Sequence, residues 1–547
     1  MRKSTSFALA LAFGLLFPSV MISAQTRTQI TGSGQWPFAG QDLSNTRSQP
    51  AEHLIGISNV NTLTPKWVFT TGGNVSATPT VAGNAVYFPD WAGNLYALDK
   101  ETGALLWSRK IADYDGVAGA ISRVSPAVNG DELILGDIEN GRAIHNGANV
   151  MAVDRHTGAL LWITQVDNHP AAIITGSAAI YGNVVYQGVS SSEETLAIDP
   201  SYPCCTFRGS VVALDARSGK LLWKTYDMPD NGGQPGGYSG GAIWQVPVID
   251  PVRGSLYIGT GNNYTAPESV LQCLAVAPRQ SCFASDDYFD TAMSLDLKTG
   301  AVKWAQRHTS QQSDAGPQFD LATGMIVWAQ RVQPFDIWTV GCKLKTEINC
   351  EFPSSPDFDF GGSGPNLLGN GNMVGFGQKS GIYWALNPDN GDVLWDTQVG
   401  PGGTLGGIEW GTATDGSRIY AAIGNPADLS YTLVPSGTTI RWGSWSALDV
   451  KTGKILWQVA DPTPGTIDTG SVSEANGVLY AGSYSGEMYA LDTNTGKILW
   501  NFASGGSVID GPSIVGDFVY WGSGYSKIPP GIANNKLYAF SLAAQGP

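Results

Sequence analysis

One short pattern recurs along the chain and leaves few folds open to it: an apolar strand ending in Asp, a polar turn closed by Gly, and a second strand ending in Trp. It runs from Leu95 through Asp99 and Gly103 to Trp107, then through Asp154, Gly158 and Trp162, and through Asp215, Gly219 and Trp223. Further copies pass through Asp296, Gly300 and Trp304, through Asn387, Gly391 and Trp395, through Asp449, Gly453 and Trp457, and through Asp492, Gly496 and Trp500. Asp or Asn at the turn can accept from the backbone ahead of it, and Gly supplies the positive φ of a tight hairpin. The alternating apolar residues face neighbouring sheets, with the Trp docked between them. By length alone 547 residues favour about two to four domains, but a repeat of this kind overrides that prior.

The two ends of the chain each hold half of a further copy. Pro65 to Phe69 resembles the outer strand with its Trp67, whereas Lys536 to Phe540 resembles the strand that should precede it. Pairing them completes an eighth unit and closes a ring without open sheet edges. The expected fold is therefore all-β: an eight-bladed β-propeller with tryptophan-docking repeats, closed by its N- and C-terminal strands. It should span residues 65–547 as one domain, preceded by a polar arm over 25–64 that wraps the ring. Successive repeats lie 43 to 62 residues apart, except for 81 between Asp215 and Asp296 and 91 between Asp296 and Asn387. A four-stranded blade needs about 40–50 residues, so the surplus must be long loops, where function usually sits.

Residues 1–24 carry Arg2 and Lys3, an apolar stretch from Phe7 to Phe17 and a small-residue end at Ser23-Ala24, which predicts a cleavable signal peptide. That stretch is too short to span a bilayer, and no later run qualifies as a transmembrane segment. The net charge of −15 becomes two units more acidic once this leader is gone, which argues against nucleic acid or an anionic membrane as partner. Six cysteines fall as the vicinal pair Cys204-Cys205 and two local pairs, Cys273/Cys282 and Cys342/Cys350. Proximity selects these pairings among fifteen possible ones. No Cys-x-x-Cys-His stretch for covalent haem occurs, and the five histidines form no metal-spaced cluster.

Repeats reading Ala-Leu-Asp-x-x-Thr-Gly-x-x-Leu-Trp resemble the docking motif of the quinoprotein alcohol dehydrogenases, which use pyrroloquinoline quinone and Ca²⁺. The resemblance covers nearly the whole mature chain. It implies roles for residues between the repeats. In Leu256 to Asn262, Asn262 matches a calcium-ligating asparagine, and Trp244, eighteen residues earlier, matches the tryptophan beneath the quinone. An indole is a rigid platform for a planar ring, and Ca²⁺ takes oxygen ligands. Thr175 and Ser190 match quinone contacts, and Glu193 matches a calcium ligand, with Glu194 as the adjacent alternative. Arg123 resembles the partner of a cofactor carboxylate, and Lys379 the cation near the quinone carbonyls.

The catalytic base falls in Ser285 to Asp296, which offers Asp286, Asp287 and Asp290. An ungapped count from Asp296 lands on Ser285, so one deletion selects Asp286, also expected to ligate calcium. The base would take the alcohol proton while hydride passes to the quinone. The pair Cys204-Cys205 is also displaced: many family members carry such a pair where Val117-Ala118 stands here. It lies in an insertion, Thr195 to Phe207, and is a further candidate for lining the cofactor. The stretch Cys204 to Asp215 and the long loops look most like the polyvinyl alcohol dehydrogenase branch. That implies a periplasmic enzyme acting on secondary alcohols, polymeric ones included, with a separate cytochrome c as electron acceptor. Non-catalytic propellers that bind proteins in the cell envelope carry similar repeats and are the competing reading. Gly237 to Gly241 spells Gly-x-Ser-x-Gly, but it lacks the strand-turn-helix setting of a nucleophile elbow.

Overall fold

A computed structural model describes residue 1 and residues 34–139, 147–308, 318–319, 326–328, 335–353, 355–360 and 362–543. The expected leader, residues 1–24, lies outside the described residues apart from Met1. Eight antiparallel blades, seven of four strands and the third of five, make a ring. The first contains Thr80–Ala82, Ala85–Pro89, Asn94–Asp99 and Leu105–Lys110. The eighth joins Ser513–Val515, Phe518–Ser523 and Lys536–Leu542 to Leu63–Thr70 from the other end of the chain. In that closure Leu63 pairs with Leu542 and Thr70 with Lys536. The ring therefore closes as its terminal half-repeats predict, and no blade is left with a bare flank toward a missing neighbour.

The repeat residues hold the blades to one another. Asp99 Oδ1 accepts from Glu101 N, Thr102 N and Thr102 Oγ1 at 3.1, 2.9 and 2.8 Å, which fixes the turn before the outer strand. Each repeat Trp then reaches the following blade: Trp107 Nε1 donates to Arg155 O at 3.0 Å, Trp457 to Thr493 O at 2.9 Å and Trp500 to Leu63 O at 3.0 Å. The repeat Gly serves two purposes. Gly158 has φ +69°, and a Cβ there would stand 2.7 Å from the Trp107 ring, so the indole lies on the bare face of the next turn.

Residues of the arm contact the innermost strands of most blades. Trp36 pairs with Val81 of the first blade, Pro37 O accepts from Val128 of the second, and Leu43 O from Ile249 of the fourth. Asn45 Nδ2 donates to Pro365 O of the fifth, Thr46 O accepts from Thr414 N of the sixth, and Gln49 reaches Glu474 and Ile514 of the seventh and eighth. The long loops carry their own apolar nucleus, in which Val270, Leu274, Phe283, Phe289, Phe335 and Ile337 pack together. Disulfides Cys273–Cys282 and Cys342–Cys350 brace that region, and Cys204–Cys205 are also bonded to each other.

Candidate active site

Trp244 precedes the innermost strand of the fourth blade, Val248–Asp250, and remains partly exposed. Its ring meets Trp410 edge-on, with centroids 5.0 Å apart and planes at 78°. Gly362 lets the chain pass close by, since a Cβ at that position would come within 2.5 Å of the indole. Lys379 sits in the hairpin between Met373–Gly377 and Ile382–Leu386 of the fifth blade, with Nζ 5.2 Å from the Trp244 ring centroid. Arg123 lies 4.6 Å from the Trp410 ring and 5.6 Å from that of Trp91. A cavity of ≈ 80 Å³ is lined by Arg123, Thr175, Trp244 and Trp410, and farther along by Arg47 and Asp510. Thr175 Oγ1 is buried in its wall without a hydrogen-bond partner. Thus Arg123, Thr175, Trp244 and Lys379, far apart in the chain, come together.

Lys379 is the hub of a dense charge cluster. Its Nζ stands 3.0 Å from Asp357 Oδ1 and 3.4 Å from Asp359 Oδ1. Burial by itself would push the ammonium down, but Asp357, Asp359 and Glu409 hold it well above the usual lysine range. Burial pushes Glu409 up to about 8 against the pull of Lys379, and its Oε2 has no partner. Glu194 is likewise pushed up to about 8, by burial and by the Asp357 carboxylate. Lys343, anchored next to Cys342, adds a second cation to this cluster, lowered by burial and raised by Asp357 and Glu194. Acids outnumber bases here, so the site lacks positive charge.

The neighbouring glutamates occupy different surroundings. Glu193 is fully buried and accepts from Tyr202 Oη at 2.9 Å, Thr206 N at 2.8 Å, Phe207 N at 2.8 Å and Ser239 Oγ at 3.2 Å. Its oxygens thereby pin the insertion that carries Cys204 and Cys205, while the next side chain, Glu194, feels Lys379 and Asp357. Asn262 donates through Nδ2 to Trp338 O at 2.8 Å and to Asn263 O at 3.0 Å, which leaves its Oδ1 free to face a cation. Ser190 is buried on the strand Val184–Ser191, where it pairs with Ile173. Cys204 and Cys205 pack in the same apolar cluster as Trp244 and Val117.

The three aspartates of the base segment also separate. Asp286 is exposed. Asp287 is fully buried and accepts from Asn263 Nδ2 at 3.0 Å; burial pushes it up to about 7 despite that bond. Asp290 belongs with the Lys379 cluster: burial, then Asp359 and Asp357, raise it well above the carboxylate range, and its Oδ1 is unpartnered. Asp357, Asp359, Glu409, Trp410 and Lys343 escaped the sequence reading. A usable signal existed in Trp91, Trp244, Trp338 and Trp410, tryptophans outside the register of the docking repeat. Among the described residues no three His, Cys, Asp or Glu side chains stand in metal-binding geometry, and no helix is long and apolar enough to cross a membrane.

A family model described as outer membrane protein assembly factor BamB matches residues 58–201, 207–422 and 441–546. Among curated relatives, a polyvinylalcohol dehydrogenase of Sphingopyxis sp. (strain 113P3) is 31% identical over 95% of this chain and 78% of its own length. A second, from Pseudomonas sp., is 30% identical over 93% of this chain and 77% of its length. The solved quinohemoprotein alcohol dehydrogenase from Comamonas testosteroni superposes with a TM-score of 0.64 at 17% identity, covering 94% of this chain and 81% of that one, a likeness of fold.

Proposed function

Since the chain belongs to the quinoprotein alcohol dehydrogenases, in the company of the polyvinyl alcohol dehydrogenases, we propose that it oxidises secondary alcohols, polyvinyl alcohol included, with pyrroloquinoline quinone and Ca²⁺ held between Trp244 and the Lys379 cluster. One observation carries the reading. A planar indole lines one cavity with Arg123 and the unpartnered Thr175 Oγ1, and the buried Lys379 ammonium stands 5.2 Å from that indole, as a flat polyanion requires. When bound, the quinone supplies a two-electron acceptor for hydride and the calcium polarises it.

Trp244 offers the platform for the ring, and Arg123 a forked donor for a carboxylate. Thr175 Oγ1, which has no partner in the protein, would donate a hydrogen bond to the cofactor. Lys379, held in place by Asp357 and Asp359, would supply a cation for the quinone oxygens. Asn262 Oδ1 and Glu194 would supply calcium ligands, with Glu193 behind them as the anchor of the insertion. Ser190 and the bridged Cys204–Cys205 remain candidates for the wall around the ring. Asp290 is the best-placed base. Its carboxyl lies in the Lys379 cluster, and burial raises its affinity for the alcohol proton. Asp286 is turned to solvent, and the Asp287 carboxyl is engaged with Asn263.

Electrons would leave to a separate cytochrome c, in the periplasm after cleavage of the leader at residues 1–24. The family model's description favours a second reading, a protein-binding scaffold. A scaffold has no use for a buried Lys379 ringed by unsatisfied carboxylates, which the quinone reading explains. The deciding experiment adds the quinone and Ca²⁺ to purified apoprotein while following indole fluorescence and dye reduction with secondary alcohols and polyvinyl alcohol. Absence of binding overturns the enzyme reading. Binding with turnover of small alcohols but not of the polymer overturns only the substrate.

A further inference from the structure

A second cluster of oxygens lies beside the active site and is not used by it. Asp227 follows the outer strand of the third blade, Leu221–Tyr226, and is 1% exposed. Its backbone ties it to the base segment, with Tyr288 N donating to Asp227 O at 2.7 Å, one residue from Asp287. Its carboxylate lies against the turn at Gly241, where a Cβ would come within 2.6 and 2.7 Å of Oδ1 and Oδ2. Gly240, the residue before that turn, pairs with Asn263, and Asn263 in turn donates through Nδ2 to Asp287 Oδ2 at 3.0 Å. Three side chains from three segments therefore meet in one buried place.

Four oxygens of this group are buried without a hydrogen-bond partner: Asp227 Oδ1 and Oδ2, Asp287 Oδ1 and Asn263 Oδ1. The Asn263 amide is fully buried and already spends its donor on Asp287, so its acceptor side points to something that is not another acceptor. Two arginines lie nearby, against burial Arg208 lowering Asp227 and Arg307 lowering Asp287 through their charge, but neither donates to either carboxylate. Arg307 donates to the Asp287 backbone carbonyl and lies 4.4 Å over the Phe289 ring. Arg208 pairs with Asp230 at 3.2 Å and lies 4.1 Å over the Tyr226 ring. Among the described residues neither carboxylate has an ion-pair partner. Asp287 also raises the proton affinity of Asp227, on top of burial.

Two neighbouring buried carboxylates and an amide oxygen, whose four free oxygens accept no hydrogen bond, are the complement of a cation without hydrogen-bond needs of its own. We propose that Asp227, Asp287 and Asn263 bind a hard divalent cation of the Ca²⁺ class, at a site distinct from the cofactor. Ca²⁺ takes about six to eight oxygens in flexible geometry, and a bidentate Asp227 with Asp287 and Asn263 supplies the first four. The consequence is mechanical. The cation ties the third blade to both the base segment and the strand Asn263–Thr265, and so holds Asn262 and Asp290 at the edge of the active site from behind.

The test is a metal count on the protein purified with saturating quinone and Ca²⁺, then dialysed. Two Ca²⁺ per chain are expected in the wild type and one in Asp227→Asn, with quinone still bound and Ca²⁺ affinity at the second site lowered roughly tenfold or more. If the quinone does not bind at all, one Ca²⁺ in the wild type and none in Asp227→Asn still supports this site while overturning the proposed activity. A single Ca²⁺ in the quinone-loaded wild type, or an equal count in both proteins, overturns the site. Asn263→Asp covers the case in which Asp227→Asn fails to fold. With a cation present the added carboxylate widens the gap in melting temperature between Ca²⁺ and chelator, whereas without one it lowers the melting temperature equally in both.

Discussion

Replacing Glu409 by Gln should stabilise the cofactor-free protein, and increasingly so as the pH rises from 4.5 to about 8. Glu409 is 3% exposed, and burial raises its carboxyl from 4.5 to about 8 although Lys379 pulls the other way. The sign follows from proton binding. Below pH 4.5 folded and unfolded chains both hold the proton, so the group has no effect on stability. As the pH rises toward 8 the unfolded chain releases a proton that the folded one keeps, and stability is lost until the folded group also ionises. At ~1.4 kcal/mol for each tenfold change, the full loss is about 5 kcal/mol at pH 9. Gln avoids it but gives up the attraction to Lys379, so a net gain of about half, ~2–3 kcal/mol, is expected. Unfolding entropy near ~2.1 cal/mol/K per residue makes 1 kcal/mol worth about 1 °C in a chain of 547 residues. Scanning calorimetry of chelated apoprotein should then show equal melting temperatures for wild type and variant at pH 4.5, parting by about 2–3 °C at pH 9. An offset independent of pH, or a variant less stable at pH 9, would refute the assignment of Glu409 as a strained buried acid.

The adjacent glutamates should respond oppositely: Glu193→Gln weakens charge-assisted bonds to Thr206 N and Phe207 N and lowers stability by about 2–3 kcal/mol, whereas Glu194→Gln raises the stability of the cofactor-free protein above pH 4.5 and weakens Ca²⁺ binding in the presence of quinone, read by calorimetric titration. Gly158→Ala, which forces a Cβ to 2.7 Å from the Trp107 ring at φ +69°, should cost about 2–4 kcal/mol and lower the melting temperature without altering quinone affinity. In the base segment, Asp290→Asn should keep quinone binding by fluorescence titration yet lose turnover by about 10²-fold or more, while Asp286→Asn retains both. Loss of turnover in Asp286→Asn instead would return the base to the position favoured by the single-gap alignment.

The ring could be read from the chain because each of its joints is made locally. Asp99, Thr102 and Gly103 settle their own turn within five residues, and Trp107 finds its acceptor in the turn of the next repeat. Even the closure of the eighth blade, between residues 63–70 and 536–542, followed from two half-patterns that only each other could complete. The charge cluster had no such local grammar. Asp357 and Asp359 belong to a loop between repeats, and their pairing with Lys379 depends on how that loop returns across the fifth blade, which neither residue's neighbours encode.

The finer ambiguities arise where the helix begins at Glu193 and where the base segment turns through Asp290 at φ +46°. Successive residues of a helix point roughly 100° apart. Glu193 and Glu194 therefore cannot share an environment, and the backbone donors of Thr206 and Phe207 decide which of them is consumed as a structural acceptor. Those donors come from an insertion, so a match to residues outside it could name the pair but not choose within it. The same logic governs Asp286, Asp287 and Asp290. The Asn263 amide captures Asp287, solvent takes Asp286, and the left-handed turn carries Asp290 in among Asp357, Asp359 and Lys379. A carboxylate's role in this protein is set by which donors reach it first, and the chemistry falls to those that no backbone amide has already claimed.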